Sequence, residues 1–113
     1  MNKDVELCRE VVCFINKQPI EKLGKMTLSH IAQEFNLSLS NLSRVFNRTM
    51  NVKLNAFFVE HKMLKCALLL HHKPSLSIKE VAKISGFSDI DYFNKIFKKH
   101  FGTTPCVYSP FKK

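Results

Sequence analysis

The chain has 113 residues, 45% of them apolar, with 18 Lys and Arg against 9 Asp and Glu, a formal net charge of +9. That length fits one domain or two very small ones, and that apolar content excludes a disordered chain. The positive excess is spread along the whole length rather than held in a tail. It therefore implies a folded basic surface and an anionic partner, either nucleic acid or a membrane surface.

The elements expected in chain order are all helical. Val5, Cys8, Val12 and Ile15 recur at three- and four-residue steps and predict a first helix over about 4–17, ended before Pro19. A polar loop containing Gly24 follows. Thr27 caps a second helix with Leu28, Ile31, Ala32 and Phe35 on one face, and Asn36 breaks it. Ser38 caps a third, with Leu39, Leu42, Val45 and Phe46 inward. A longer helix covers about 54–70, and Pro74 stops it. Ser77 and Glu80 form a capping box for the next helix, which ends at Gly86. Ser88 caps another, with Ile90, Phe93, Ile96 and Phe97 inward. Thr104-Pro105 reads as a cap followed by proline at the first helical position.

The sequence repeats itself. A shift of fifty residues sets Leu28 on Ile78, Ile31 on Val81, Ala32 on Ala82, Asn36 on Gly86 and Ser38 on Ser88. One inserted residue later the shift is fifty-one, setting Leu42 on Phe93, Arg44 on Lys95, Phe46 on Phe97 and Asn51 on Gly102. Asparagine is the usual non-glycine residue at positive φ, so Asn36 and Asn51 match the two glycines in backbone chemistry as well. Each copy reads as helix, short turn, helix, with an alanine where two helices approach closely. That is a helix-turn-helix unit, whose second helix enters the DNA major groove.

The stretch "SIKEVAKISGFSDIDYFNKIFKKHFGTTPCVY", Ser77 to Tyr108, closely resembles the C-terminal signature of AraC/XylS-type bacterial transcription regulators. The matching elements are Ile-x-x-Val-Ala, Gly-Phe-Ser-Asp, Tyr-Phe, Phe-Lys-Lys, Gly-x-x-Pro and the final tyrosine. "TLSHIAQEFNLSLSNLSRVF" and "MLKCALLL" in the connector resemble the rest of the domain, so the likeness covers roughly residues 5–109. Asn51 departs from a family glycine, and Lys62 and Ser109 from family arginines.

The resemblance implies an all-α fold of seven short helices, two helix-turn-helix subdomains joined by a long connector helix. The expected division is 1–52, 53–73 and 74–113, with recognition helices over about 38–48 and 89–100. A connector of some seventeen residues spans roughly 25 Å, which suits two recognition helices in adjacent major grooves about 34 Å apart. The expected partner is double-stranded DNA, with RNA polymerase contact implied for an activator. No membrane partner is expected. The domain is expected to be monomeric in isolation and to act in the cytoplasm on the bacterial nucleoid.

Ser40, Asn41, Ser43, Arg44 and Asn47 face outward on the first recognition helix and are the expected base contacts. Arg44 suits bidentate recognition of guanine, and Asn41 and Asn47 suit adenine. Asp91, Asn94 and Lys95 are their counterparts on the second, with Asp91 also suited to a helix N-terminus. Ser38, Arg48, Lys53, Ser88, Lys98, Lys99 and Thr104 are the expected phosphate contacts. Phe87, Tyr92 and Phe101 are expected in the core. The four cysteines lack zinc spacing and read as reduced thiols, core or half-buried, and the adjacent His71 and His72 point apart. No nucleophile–base pair, paired carboxylates or phosphate-binding glycine loop is visible, so no enzyme, metal or cofactor is expected. The longest apolar run, Ala67 to Leu70, is far too short for a bilayer, and Asp4 and Glu6 precede any apolar stretch, unlike a signal peptide. The alternatives are an output fragment of a larger ligand-sensing or two-component regulator, or a basic helical protein–protein adaptor.

Overall fold

A computed structural model describes residues 2–73 and 75–108. Pro74, the expected helix stop, lies outside the described residues, as do Ser109 and the terminal lysines. The described residues form eight helices: α1 Lys3–Lys17, α2 Ile20–Leu23, α3 Leu28–Glu34, α4 Leu39–Met50, α5 Leu54–His72, α6 Ile78–Ile84, α7 Ile90–Phe101 and α8 Pro105–Tyr108. All seven expected helices are present. The addition is α2, a single turn in place of the expected polar loop. Its signals were local: Pro19 at the N-cap, Ile20 and Leu23 three apart and both buried, and Gly24 at the C-cap. Four residues are too few for periodicity to register.

The chain folds as two compact units. The first takes the chain up to Gln18 together with Met26–His61, and the second takes Pro19–Lys25 together with the chain from Lys62 onward. This grouping sets its boundaries differently from the division at 52 and 73. The short α2 belongs to the second unit although it lies between α1 and α3 in sequence. The long α5 contributes to both units, its first turns to one and the rest to the other.

In the first unit, α1 and α3 pack on α4. Cys8, Val11 and Ile15 of α1, Ile31 and Ala32 of α3, and Leu42 and Phe46 of α4 are buried. The α1 stripe therefore runs through Val11 rather than Val5, which is exposed. Phe14 meets Phe35 edge-on at 5.8 Å between ring centroids, and Phe46 lies 5.3 Å from Phe57. Such offset and edge geometries suit the quadrupoles of the rings.

In the second unit α7 packs on α6 and α8. Phe93 and Phe97, one turn apart, are fully buried, as are Val81 and Ala82 of α6 and Cys66 and Leu70 of α5. Phe87, Phe93, Phe97 and Phe101 form a chain of rings with successive centroids 5.2, 5.9 and 4.5 Å apart. Ser85 is fully buried, and its hydroxyl is satisfied twice. It donates to the Val81 carbonyl at 2.7 Å and accepts from the Cys66 thiol at 2.9 Å. All four cysteines are free thiols, with Cys8 and Cys66 buried and Cys13 and Cys106 exposed.

The internal repeat is realised bond by bond. Asn36 and Gly86 take positive φ of 58° and 87°, and Asn51 and Gly102 take 58° and 76°. The Leu37 amide reaches the Ala32 carbonyl at 3.0 Å, and the Phe87 amide reaches that of Ala82 at 2.9 Å. The Asn36 and Gly86 amides bond to Gln33 and Lys83. Both turns are therefore Schellman closures, in which a left-handed residue lets two amides satisfy orphan carbonyls. Both copies also open on a capping box, Ser77 with Glu80 in one and Thr27 with His30 in the other. His30 occupies the glutamate's place, its Nδ1 accepting from the Thr27 amide at 3.4 Å.

Candidate nucleic-acid interface

In the first unit the outer face of α4 is built by the cap at its start. Ser38 accepts from the Asn41 amide at 3.2 Å, which starts the helix so that Leu42 and Phe46 turn inward. Ser40, Asn41 and Arg44 are left exposed in its first turns, and Ser43 is half-buried. No acidic residue interrupts α4. Among the described residues no hydrogen bond or ion pair engages the Arg44 guanidinium, and five donors on a planar fork are available to a ligand. Lys53, at the entrance to α5, is also exposed.

Two expected contacts of this unit are otherwise engaged. The Asn47 side-chain carbonyl accepts from the Leu54 amide at 3.0 Å, which satisfies one orphan donor at the start of α5. Bidentate reading of adenine needs both the carbonyl and the amide of that side chain, and in this conformation the carbonyl is engaged within the unit. Arg48 lies 2.9 Å from the Asp4 carboxylate of α1. Arg48 is exposed and Asp4 half-buried, and a pair so open to solvent contributes only about 0–1 kcal/mol.

In the second unit α7 starts at Ile90 on an Asp89 cap, whose Oδ1 accepts from the Asp91 amide at 2.9 Å and the Tyr92 amide at 3.4 Å. The expected cap, Ser88, is exposed and does not close the helix. A carboxylate one residue later reaches both amides. Asp91, Lys95, Lys98 and Lys99 are exposed, Asn94 is half-buried, and Thr104 is half-buried at the end of the unit. Lys98, Lys99 and His100 fall in the last turn, where cations suit the helix dipole.

The core expectation fails for two residues of α7. Tyr92 is 54% exposed and Ile90 37% exposed. The buried stripe is taken by Phe93 and Phe97, and on a helix the preceding residue is rotated about 100° from them. The sequence carried this signal: the shift of fifty-one sets Tyr92 on Asn41, an outward residue. Phe87 and Phe101 are half-buried, and an ammonium group, that of Lys62, lies 5.1 Å from the Phe87 centroid. Burial holds the Lys62 amine below the ordinary lysine range. Two further cations escaped the sequence reading. Lys79 and Lys83 lie one turn apart on α6 and line, with Ala82, Gly86, Phe87, Ser88 and Ile90, a hollow of about 450 Å³.

A family model described as a helix-turn-helix domain matches residues 31–109. The Msm operon regulatory protein of Streptococcus mutans is 35% identical over 85 residues, covering 75% of this chain and 30% of that protein. The C-terminal domain of AraT, a response regulator from Geobacillus stearothermophilus, superposes with a TM-score of 0.75 at 27% identity, covering 93% of this chain and 84% of that one. A Chromobacterium violaceum transcriptional regulator, described as an AraC-type DNA-binding domain-containing protein, shares the fold with a TM-score of 0.78 at 23% identity, over 96% and 95% of the two chains. The chain spans about a third or less of the length of the curated relatives it matches.

Proposed function

The chain belongs to the AraC/XylS-type helix-turn-helix family of regulators, and from that premise we propose that it binds double-stranded DNA sequence-specifically to control transcription. The observation that carries this is the duplicated geometry. Each unit closes the same Schellman turn and follows it with a helix, α4 or α7, whose exposed face carries Arg44 and Asn41 in one and Lys95, Lys98 and Lys99 in the other. One chain thus offers two recognition helices, and two adjacent major grooves are the natural target without dimerisation.

The roles follow from side-chain chemistry. Arg44 reads guanine and Asn41 adenine, with Ser40 and Ser43 beside them. Lys95 and Asn94 read bases from α7. Asp91 serves mainly the start of its helix. Ser38, Ser88, Lys53, Lys98, Lys99 and Thr104 lie against phosphates, and Arg48 joins them by exchanging Asp4 for a phosphate. On this view the chain acts as a monomer on nucleoid DNA in the cytoplasm, and activation proceeds through contact with RNA polymerase. A second reading, compatible with the first, makes it the output module of a larger regulator. Its likeness to the C-terminal domain of a response regulator supports this, as does the small share it spans of its relatives.

The test is selection of binders from random duplex DNA at near-physiological salt, followed by salt titration of the winner. A bipartite site whose affinity falls steeply with salt is expected. No enrichment, or binding indifferent to salt, overturns the proposal and favours a protein-binding role for the basic surface.

A further inference from the structure

The two recognition helices open with different chemistry. α4 begins with Ser40 and Asn41 exposed, whereas α7 begins with exposed Ile90 and Tyr92. The Tyr92 ring, 54% exposed, lies 6.1 Å from Phe87 at an interplanar angle of 43°. Phe87 itself packs on the buried Phe93 at 5.2 Å. Tyr92 is therefore a pre-placed aromatic surface that loses little freedom on contact, since it has only two side-chain torsions. Phe87 also lines a mainly apolar hollow with Ala82, Gly86, Ser88 and Ile90, to which Lys79 and Lys83 contribute. The neighbouring carboxylate of Asp89 is already occupied by two backbone amides.

An apolar surface at the start of a recognition helix, rimmed by cations, has one natural counterpart in duplex DNA. The thymine C5-methyl is the apolar group on the major-groove edges of the bases, and phosphates flank it. The first residues of a recognition helix are those that reach base edges.

We infer that Tyr92, with Ile90 beside it, reads a thymine methyl in the half-site of the second unit, and that Lys79 and Lys83 hold the flanking phosphates. This rests on the proposed DNA binding and adds to it the base that the second unit selects. The phenol oxygen takes no part in the discrimination. The two half-sites therefore differ in kind, one read through polar groups of α4 and one through a methyl contact of α7.

The test takes the duplex selected from random DNA and replaces thymine by deoxyuridine, which removes the methyl and keeps the pairing. Thymine is expected to be enriched in one half-site, and deoxyuridine there weakens binding about fourfold per methyl, as removal of one buried methyl from apolar contact implies. The Tyr92→Ala chain loses this sensitivity, while Tyr92→Phe keeps it, with melting temperatures confirming that both fold. A duplex that binds with steep salt dependence but ignores deoxyuridine overturns this inference and leaves the proposed function standing. Undiminished methyl sensitivity in Tyr92→Ala overturns it too and points to a protein partner for the hollow, and loss of sensitivity in Tyr92→Phe shows that the hydroxyl is the reader. If no duplex is enriched, both proposals fall.

Discussion

Gly86 stands backbone to backbone against Gly24. A Cβ built on Gly86 would overlap the Gly24 carbonyl oxygen, and one on Gly24 would lie 2.5 Å from the Ser85 carbonyl carbon. The single turn α2 is thereby seated on the turn between α6 and α7, the turn that aims the second recognition helix. Gly86 also holds φ at 87°, where a side chain is strained whatever the space.

The two positive-φ glycines separate these effects. Around Gly102 an added Cβ meets nothing within 4 Å. Gly102→Ala therefore costs only the left-handed backbone penalty, about 1–2 kcal/mol. Gly86→Ala adds the clash with Gly24 and is expected to cost at least twice as much. Urea denaturation of both variants checks this, and equal losses would mean that α2 does not pack as described. Gly24→Ala, with no strained φ, isolates the steric part.

Asn47 and Asn41 look alike in sequence and differ in work. Removing the Asn47 side chain leaves the Leu54 amide without its partner, and losing a helix N-terminal cap costs about 1 kcal/mol. Asn47→Ala should lower stability by that amount. Asn41→Ala should leave stability unchanged and weaken DNA binding. Paired denaturation and duplex-binding measurements distinguish the two, and the reverse pattern would return Asn47 to the base-reading row.

Arg44 and Lys98 are expected to fail in different ways. Arg44→Ala should remove about 1–3 kcal/mol of discrimination against a substituted guanine in one half-site only. Lys98→Ala should weaken binding to all sequences alike and reduce the salt dependence by about one phosphate contact. Competition with mutated half-sites across a salt series reads both.

The cysteines give a structural check independent of DNA. Burial pushes the Cys66 thiol up to about 11 from its ordinary 9.0, against the opposing pull of the Ser85 hydroxyl and the Lys62 ammonium. The thiolate is the reactive form. Iodoacetamide at pH 8 should modify the exposed Cys13 and Cys106 in the folded protein, and Cys66 only after unfolding. Because the folded thiol holds its proton longer than the unfolded one, Cys66 favours the folded state below pH 9, and that contribution is lost as pH rises from 9.0 to about 11. The lowered Lys62 acts in the opposite sense, so the loss should deepen in a Lys62→Met variant.

Sequence alone determined the helical class, the two helix-turn-helix units and the turn chemistry. These follow from signals within five or six residues: a capping hydroxyl, an apolar pair one turn apart, an asparagine or glycine at positive φ. The repeat made such local evidence count twice, and it placed Arg44 and Lys95 on equivalent outward positions. What only the tertiary structure decided is which long-range partner each side chain meets. Asn47 is seven residues from Leu54, Arg48 forty-four from Asp4, and Gly24 sixty-two from Gly86. Periodicity assigns a residue to a face. It cannot say that a carboxamide will cap the next helix, that the buried stripe of α7 will leave Tyr92 in solvent, or that a four-residue turn will seat against a distant glycine. Those outcomes depend on close packing between segments far apart in the chain, where one added carbon decides whether two backbones can touch.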